Sequence, residues 1–216
     1  MSYKNPQDGS PAYVVKFNHE QKEIDNMKKF VVEQFANKDS KVETAIHQQG
    51  DNTEKVMRDS NVIWFNDKTI SGILMTCMNI ANHETGWKYK LTGHETLQMT
   101  RYEEGGQYAW HVDGDGTTNE ARSFDFEGSR SLTKTAEPHL LGTIRKLSAS
   151  VIINDDYEGG HFETMHLHDG KVIKSKVQAD PGSAIIFPST VTHRVTPVTK
   201  GTRYSIVVWF AGPPFV

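Results

Sequence analysis

Residues 101–114 read RYEEGGQYAWHVDG and place His111 and Asp113 two apart, behind a Gly-Gly pair and two tyrosines. A neutral imidazole and a carboxylate can chelate one divalent cation when both project to the same side, as residues i and i+2 of a strand do. Spacing alone is a weak signal. With 10 histidines and 27 acidic residues in 216 positions, chance predicts roughly one His-x-Asp/Glu pair, and the chain has two, His111-x-Asp113 and His161-x-Glu163. Two ligands hold a metal poorly, so a third must come from a distant segment, and His193 in FPSTVTHRVTPV is the candidate. Two histidines and one carboxylate on one face of an octahedral ion leave positions open, which suits non-haem Fe(II) oxygen chemistry. Ten residues after His193, in GTRYSIVVWF, a strand would put Arg203, Ser205, Val207 and Trp209 on one face. A guanidinium beside a hydroxyl grips a carboxylate with two directed bonds, where lysine offers charge with less directional control.

Other histidines carry less. Gly160 followed by five residues and His166-x-His168 opens like a cupin metal motif, but Val172 or Ile173 stands where that motif needs a glutamate. That reading also leaves Tyr102 and Arg203 without a purpose. His166 and His168 are expected as exposed strand residues flanking an Asp169-Gly170 turn. His161-x-Glu163 reads as a surface pair or as part of a substrate mouth. His19, His47, His83, His94 and His139 read as ordinary polar positions.

The elements that would position these groups change character along the chain. After Asn18, read as an N-cap, Ile24, Met27, Val31 and Phe35 fall on one helical stripe. A second helix follows Asp67, with Ile70, Leu74, Cys77 and Ile80 or Ala81 turned inward. Both read as support for a sheet. From Trp87 onward the period becomes two, in WKYKL, LQMTRY, YAWHVD, LSASVII, HFETMHLH, KVIKSKVQ, SAIIF and TRYSIVVWF, with Asp169-Gly170 as a tight hairpin turn. Many short strands without intervening helices predict an antiparallel sandwich or jelly roll whose mouth can hold a ligand. The expected division is a helical support region over residues 1–90 and the β core over 91–216. A polar insertion at 114–142 is either a lid or a disordered segment.

Composition narrows the class. The chain is long enough for one well-cored domain, and a formal charge of −3 carries no polyanion-binding signal, so no nucleic-acid partner is expected. Cys77 is the only cysteine, which excludes an intrachain disulfide and suits a reducing compartment. The polar start MSYKNPQDGS has no leader-like apolar run and no segment approaches a membrane span, so a soluble, cytoplasmic protein without membrane association is expected.

Tyr102, His111-x-Asp113, His193, Arg203 and Trp209, with RKLSASVIINDDYEGGHFE between the two groups of ligands, resemble the 2-oxoglutarate- and Fe(II)-dependent dioxygenases. Within them the chain is most similar to the prolyl 4-hydroxylase-like branch, over about residues 95–212. The resemblance implies a double-stranded β-helix, or jelly roll, supported by the N-terminal helices, with Fe(II) on His111, Asp113 and His193. It implies 2-oxoglutarate chelated through its keto acid end, its far carboxylate on Arg203 with help from Ser205 and Tyr102. It also implies O2 as the other cosubstrate, decarboxylation to succinate and CO2, and hydroxylation of an unactivated C–H bond. Tyr108, Arg145 and Trp209 match substrate-side positions of that branch. A prolyl residue in a peptide or protein is the implied substrate, and L-ascorbate the reductant that rescues oxidised iron.

One departure bears on the substrate. Animal collagen-type enzymes carry lysine where this chain has Arg203, so the cosubstrate expectation stands while the collagen-like one weakens. A free amino acid or other small-molecule substrate on the same scaffold is the alternative, and a non-catalytic cupin-like metal-binding module is the contrasting class. Halogenation is disfavoured because Asp113 occupies the iron position that chloride would need.

Overall fold

The computed structural model describes residues 2–4, 11–16, 20–48, 56–114, 140 and 142–214. Helix α1 (Gln21–Ala36) is capped by Glu20 through a reciprocal capping box with Glu23. The expected cap, Asn18, lies outside the described residues. Val31 and Phe35 of α1 are buried, while Ile24 and Met27 are partly so. Helix α2 (Lys68–Glu84) starts where its sequence predicts, with the Asp67 carboxylate accepting a hydrogen bond from Ile70 N at 2.8 Å. Its buried stripe is Leu74, Cys77, Met78 and Ala81, so Met78 joins the expected set and Ile80 stays at the margin.

The strands run β1 (Ser2–Lys4), β2 (Tyr13–Lys16), β3 (Glu43–Gln48) and β4 (Val56–Phe65) before or between the helices. Then follow β5 (Gly93–His94), β6 (Leu97–Tyr102), β7 (Gln107–His111), β8 (Ile144–Ile152), β9 (Tyr157–Gly159) and β10 (Phe162–His168). The last are β11 (Lys171–Lys176), β12 (Ser183–Pro188), β13 (Thr192–Val195), β14 (Val198–Gly201) and β15 (Arg203–Gly212). One curled antiparallel sheet has the order β1-β2-β12-β8-β15-β6-β4-β7-β13-β10-β11, with β3 added to β4 and β5 to β15, while β9 and β14 pair separately. Strand β4 makes the corner. Its Arg58 and Asp59 pair with β7, and Asn61 to Phe65 pair with β6, so one strand ties both faces of the roll.

Alternation on the central strands builds two cores. On β15, Ile206, Val208 and Phe210 turn toward the helices with Val31, Leu74 and Cys77, all fully or nearly fully buried. The opposite face, with Tyr102, Ile152, Phe162, Ile185 and Phe187, fills the interior of the roll. The jelly-roll core and its helical support therefore match the sequence expectation.

The structure departs from the sequence reading at two places. The first 90 residues contribute strands as well as helices, and β4 sits inside the sheet. Its run VMRDSNVIWF lacks the usual apolar alternation because the buried Arg58 and Ser60 face inward, where a core strand would carry aliphatic residues. WKYKL, expected as a strand, is not one. Trp87, Tyr89 and Leu91 do pack on the core, but the Asn82 amide replaces a neighbouring strand, donating to Tyr89 O and accepting from Tyr89 N. The lid or disorder question for the 114–142 insertion falls almost wholly outside the described residues. The hairpin at Asp169-Gly170 forms as expected, with φ of 47° and 72° at its two central residues.

No described helix is long and apolar enough to cross a membrane.

Candidate active site

His111 ends β7 and His193 lies on β13, and the two are direct partners across the antiparallel pair. This register brings imidazoles 82 positions apart to a ring separation of 4.1 Å. Asp113 reaches the same point by a route the strand argument did not foresee. The strand ends at His111, and Asp113 is aimed by a pinned loop: its N–H and that of Gly114 both donate to Ser189 O at 3.0 Å, and Arg145 Nη1 donates to Asp113 O at 3.0 Å. Asp113 Oδ1 lies 3.6 Å from His111 Nε2, and Oδ2 lies 3.6 Å from His193 Nε2. One ligand atom from each of the three residues falls within 4.8 Å of the others.

Protonation follows from the partners. His111 Nδ1 is 2.7 Å from Ala109 O and His193 Nδ1 is 2.9 Å from Val191 O. A carbonyl only accepts, so each Nδ1 carries a proton and each ring presents its Nε2 toward Asp113. Burial raises the Asp113 carboxyl, but His193, His111 and Arg145 outweigh it and hold the group well below the ordinary carboxylate range. Burial also lowers His193, against the opposing pull of Asp113. Two imidazole Nε2 atoms and a carboxylate thus converge, and a bound cation would satisfy all three at once.

His111, Asp113 and His193 line one cavity together with Arg203. Arg203 is 1% exposed. Its Nη1 donates to Ser205 Oγ at 3.1 Å, and its guanidinium carbon lies 5.4 Å from the Tyr102 ring centroid. Nε and Nη2 are buried without any hydrogen-bond partner among the described residues. A guanidinium stripped of water and left with an empty two-pronged edge is poised for an anion. Ser205, Val207 and Trp209 line the cavity with it, so the face read from the sequence forms as expected.

The remaining sequence candidates divide. Tyr108 stacks on His111 at 3.5 Å and lines the cavity, as does Trp209, whose indole N–H is buried without a partner among the described residues. Arg145 sits one layer out. It forms a bidentate pair with Glu95, 2.7 Å at both contacts, and lies 4.1 Å from the Trp209 ring centroid. His168 is exposed beside its turn, but His166 is partly buried, with no partner for its Nδ1 among the described residues, unlike the exposed position expected of it. Glu163 pairs with Arg194, and His161 contacts Lys176.

Arg58 and Gln98 line the cavity and were missed by the sequence reading. Arg58 donates from Nε to Ser60 Oγ and from Nη2 to Gln98 Oε1, and lies 4.8 Å from the Tyr108 ring centroid. Nothing in the polar run around Arg58 marks it as an inward-facing strand.

Comparison with known proteins places this arrangement. Residues 97–211 match the family model of the 2OG-Fe(II) oxygenase superfamily. The chain is 31% identical to a PKHD-type hydroxylase of Alteromonas mediterranea over 111 residues, covering 51% of this chain and 41% of the relative. It is 32% identical to a PKHD-type hydroxylase of Hyphomonas neptunium over 120 residues, covering 53% and 42%. The match thus spans about two fifths of the length of these relatives. Among solved structures, a Pseudomonas putida prolyl-4-hydroxylase superposes with a TM-score of 0.60 at 16% identity, covering 94% of this chain and 92% of that one. A Trichoplax adhaerens prolyl hydroxylase, solved with a hypoxia inducible factor peptide fragment, gives 0.62 at 14% identity, covering 94% and 84%. Those likenesses carry the fold, and with the family match over more than half of its length the chain belongs to the 2OG-Fe(II) oxygenase superfamily.

Proposed function

We propose that this chain is an Fe(II)- and 2-oxoglutarate-dependent hydroxylase acting on a prolyl residue of a peptide or protein. One observation carries the reading: a single cavity has a cation-shaped triad along one part and a buried, half-unpartnered guanidinium along another. His111, Asp113 and His193 would hold the iron. When bound, the metal supplies oxygen activation coupled to decarboxylation of 2-oxoglutarate to succinate and CO2.

The protein's own work is placement and charge. Arg203 takes the far carboxylate of 2-oxoglutarate on Nε and Nη2, while Ser205 fixes the guanidinium through Nη1 and Tyr102 covers its face. Arg145, locked on Glu95, holds the Asp113 carbonyl and so keeps the carboxylate ligand aimed. The Tyr108 and Trp209 rings line the cavity beside the metal ligands, and aromatic faces suit a compact, apolar five-membered ring. The structural neighbours from Pseudomonas putida and Trichoplax adhaerens, prolyl hydroxylases by name, support the prolyl reading. L-ascorbate fits as the reductant that restores oxidised iron between cycles.

The test is incubation with Fe(II), oxygen, 2-oxoglutarate and a panel of proline-rich peptides, beside free proline. Succinate release with a mass gain of one oxygen atom on a peptide is the expected result. Oxygen transfer to free proline alone moves the substrate class to small molecules. No succinate with any substrate, from protein that binds neither metal nor 2-oxoglutarate, overturns the reading.

A further inference from the structure

Arg203 borders two cavities. Besides the active-site cavity, it lines a separate cleft together with Tyr157, His161, Phe162 and Lys176. Phe162 and Arg203 are the side chains common to both cavities. The backbone is pressed against this partition: Gly159 and Gly160 have φ of 74° and 54°, and a Cβ on Gly160 would lie 3.0 Å from Arg203 Cδ. Only glycine lets the chain run so close to the arginine stem in that conformation.

Two cationic side chains line the cleft, Lys176 exposed and Arg203 buried. Lys176 is exposed and its Nζ donates to His161 Nε2 at 3.1 Å. Among the described residues, no carboxylate lies within ion-pair distance of Lys176. Asp155 is the acidic group at the rim, and it is exposed to solvent. Phe162, Ile152 and Ile185 form apolar walls between rim and floor. A cation at the mouth and a second at the base of a low-dielectric cleft focus the field on an incoming anion.

We propose that this cleft is the port through which small dicarboxylates reach and leave Arg203, 2-oxoglutarate inward and succinate outward, with Lys176 as the steering cation. The proposal rests on the assignment of Arg203 as the diacid anchor. A port on this side lets the diacid exchange without passing the metal ligands, where the organic substrate is placed. Lys176 and His161 are positioning residues here, since neither lines the active-site cavity.

The experiment follows 2-oxoglutarate binding to the Mn(II)-loaded chain by stopped-flow tryptophan fluorescence across a salt series. Lys176→Glu is expected to slow association roughly threefold to tenfold at low salt and to flatten its salt dependence, because the steering charge is reversed. Lys171→Glu, the same charge change at the far end of β11, is expected to leave the rate near wild type. His161→Trp fills the cleft and should slow association and dissociation together, leaving Kd within about twofold of wild type. Equal rates in Lys176→Glu and wild type, equal slowing by Lys176→Glu and Lys171→Glu, or unchanged rates in His161→Trp would each overturn the port. Wild-type protein that does not bind 2-oxoglutarate would instead remove the functional assignment, and the port would fall with it.

Discussion

Replacing Arg203 with methionine should raise the stability of the ligand-free protein while removing 2-oxoglutarate binding. The guanidinium is 1% exposed, keeps one hydrogen bond to Ser205, and buries Nε and Nη2 without a partner among the described residues. Each stranded donor costs about 1–3 kcal/mol in the empty protein. Methionine fills a similar volume with no polar hydrogen to satisfy, so the empty fold should gain on the order of 1–2 kcal/mol after losing the Ser205 bond. In the complex those two donors meet a carboxylate, and their removal should weaken binding by roughly 2–5 kcal/mol, about 30-fold to several thousandfold in Kd. Arg203→Lys keeps the charge without the fork and should fall between. Urea unfolding without ligand gives the first quantity. The second comes from titrating 2-oxoglutarate into Mn(II)-loaded protein, read as heat and as the ligand-induced rise in Tm. A variant several kcal/mol less stable than wild type that still binds 2-oxoglutarate normally would refute the reasoning on both counts.

Three further outcomes follow from other parts of the molecule. His193→Ala and His111→Ala should each purify without stoichiometric iron or manganese and give no iron-dependent turnover, and metal content near one per chain in either variant would refute the triad. Glu95→Gln removes one partner of a bidentate ion pair whose carboxylate is 1% exposed, so urea unfolding should show a loss of about 3–5 kcal/mol. A loss below about 1 kcal/mol, typical of an exposed pair, would refute the assignment of this contact as a buried ion pair. Burial pushes the Cys77 thiol up to about 12, against a smaller lowering by a backbone hydrogen bond. The fold therefore favours the neutral thiol. Its contribution is complete below the unfolded value of 9.0 and is lost as pH rises from there toward 12. The stability gap between wild type and Cys77→Ala should be flat below pH 9 and shrink above it, by up to about 1.4 kcal/mol per pH unit. A gap that stays constant to pH 11 would contradict this, as would rapid alkylation of native protein at pH 8.

Much of the site was legible because its parts lie on strands whose period is two. Arg203, Ser205, Val207 and Trp209 share a cavity face for the same reason that Ile206, Val208 and Phe210 share the helix-packed one, and local chain geometry suffices for that. The start of α2 was equally local, since Asp67 caps its own helix. The ordered set of tyrosine, His-x-Asp, distal histidine and arginine carried the family, and the structure set those groups around one cavity.

Other features were settled by contacts between distant segments. The alignment of His193 with His111 is a matter of strand register, which no local pattern encodes. Asp113 owes its aim to Ser189 and Arg145 rather than to strand alternation. Arg58 enters the cavity because β4 turns the corner between β6 and β7, and the polar groups that point inward there leave no apolar alternation to mark a strand. WKYKL shows the converse, an alternating run whose backbone is satisfied by the Asn82 amide instead of a strand. Periodicity reports which way a side chain points along its own strand. Which partner completes the backbone hydrogen bonds, and therefore what that side chain meets, depends on how the whole sheet closes.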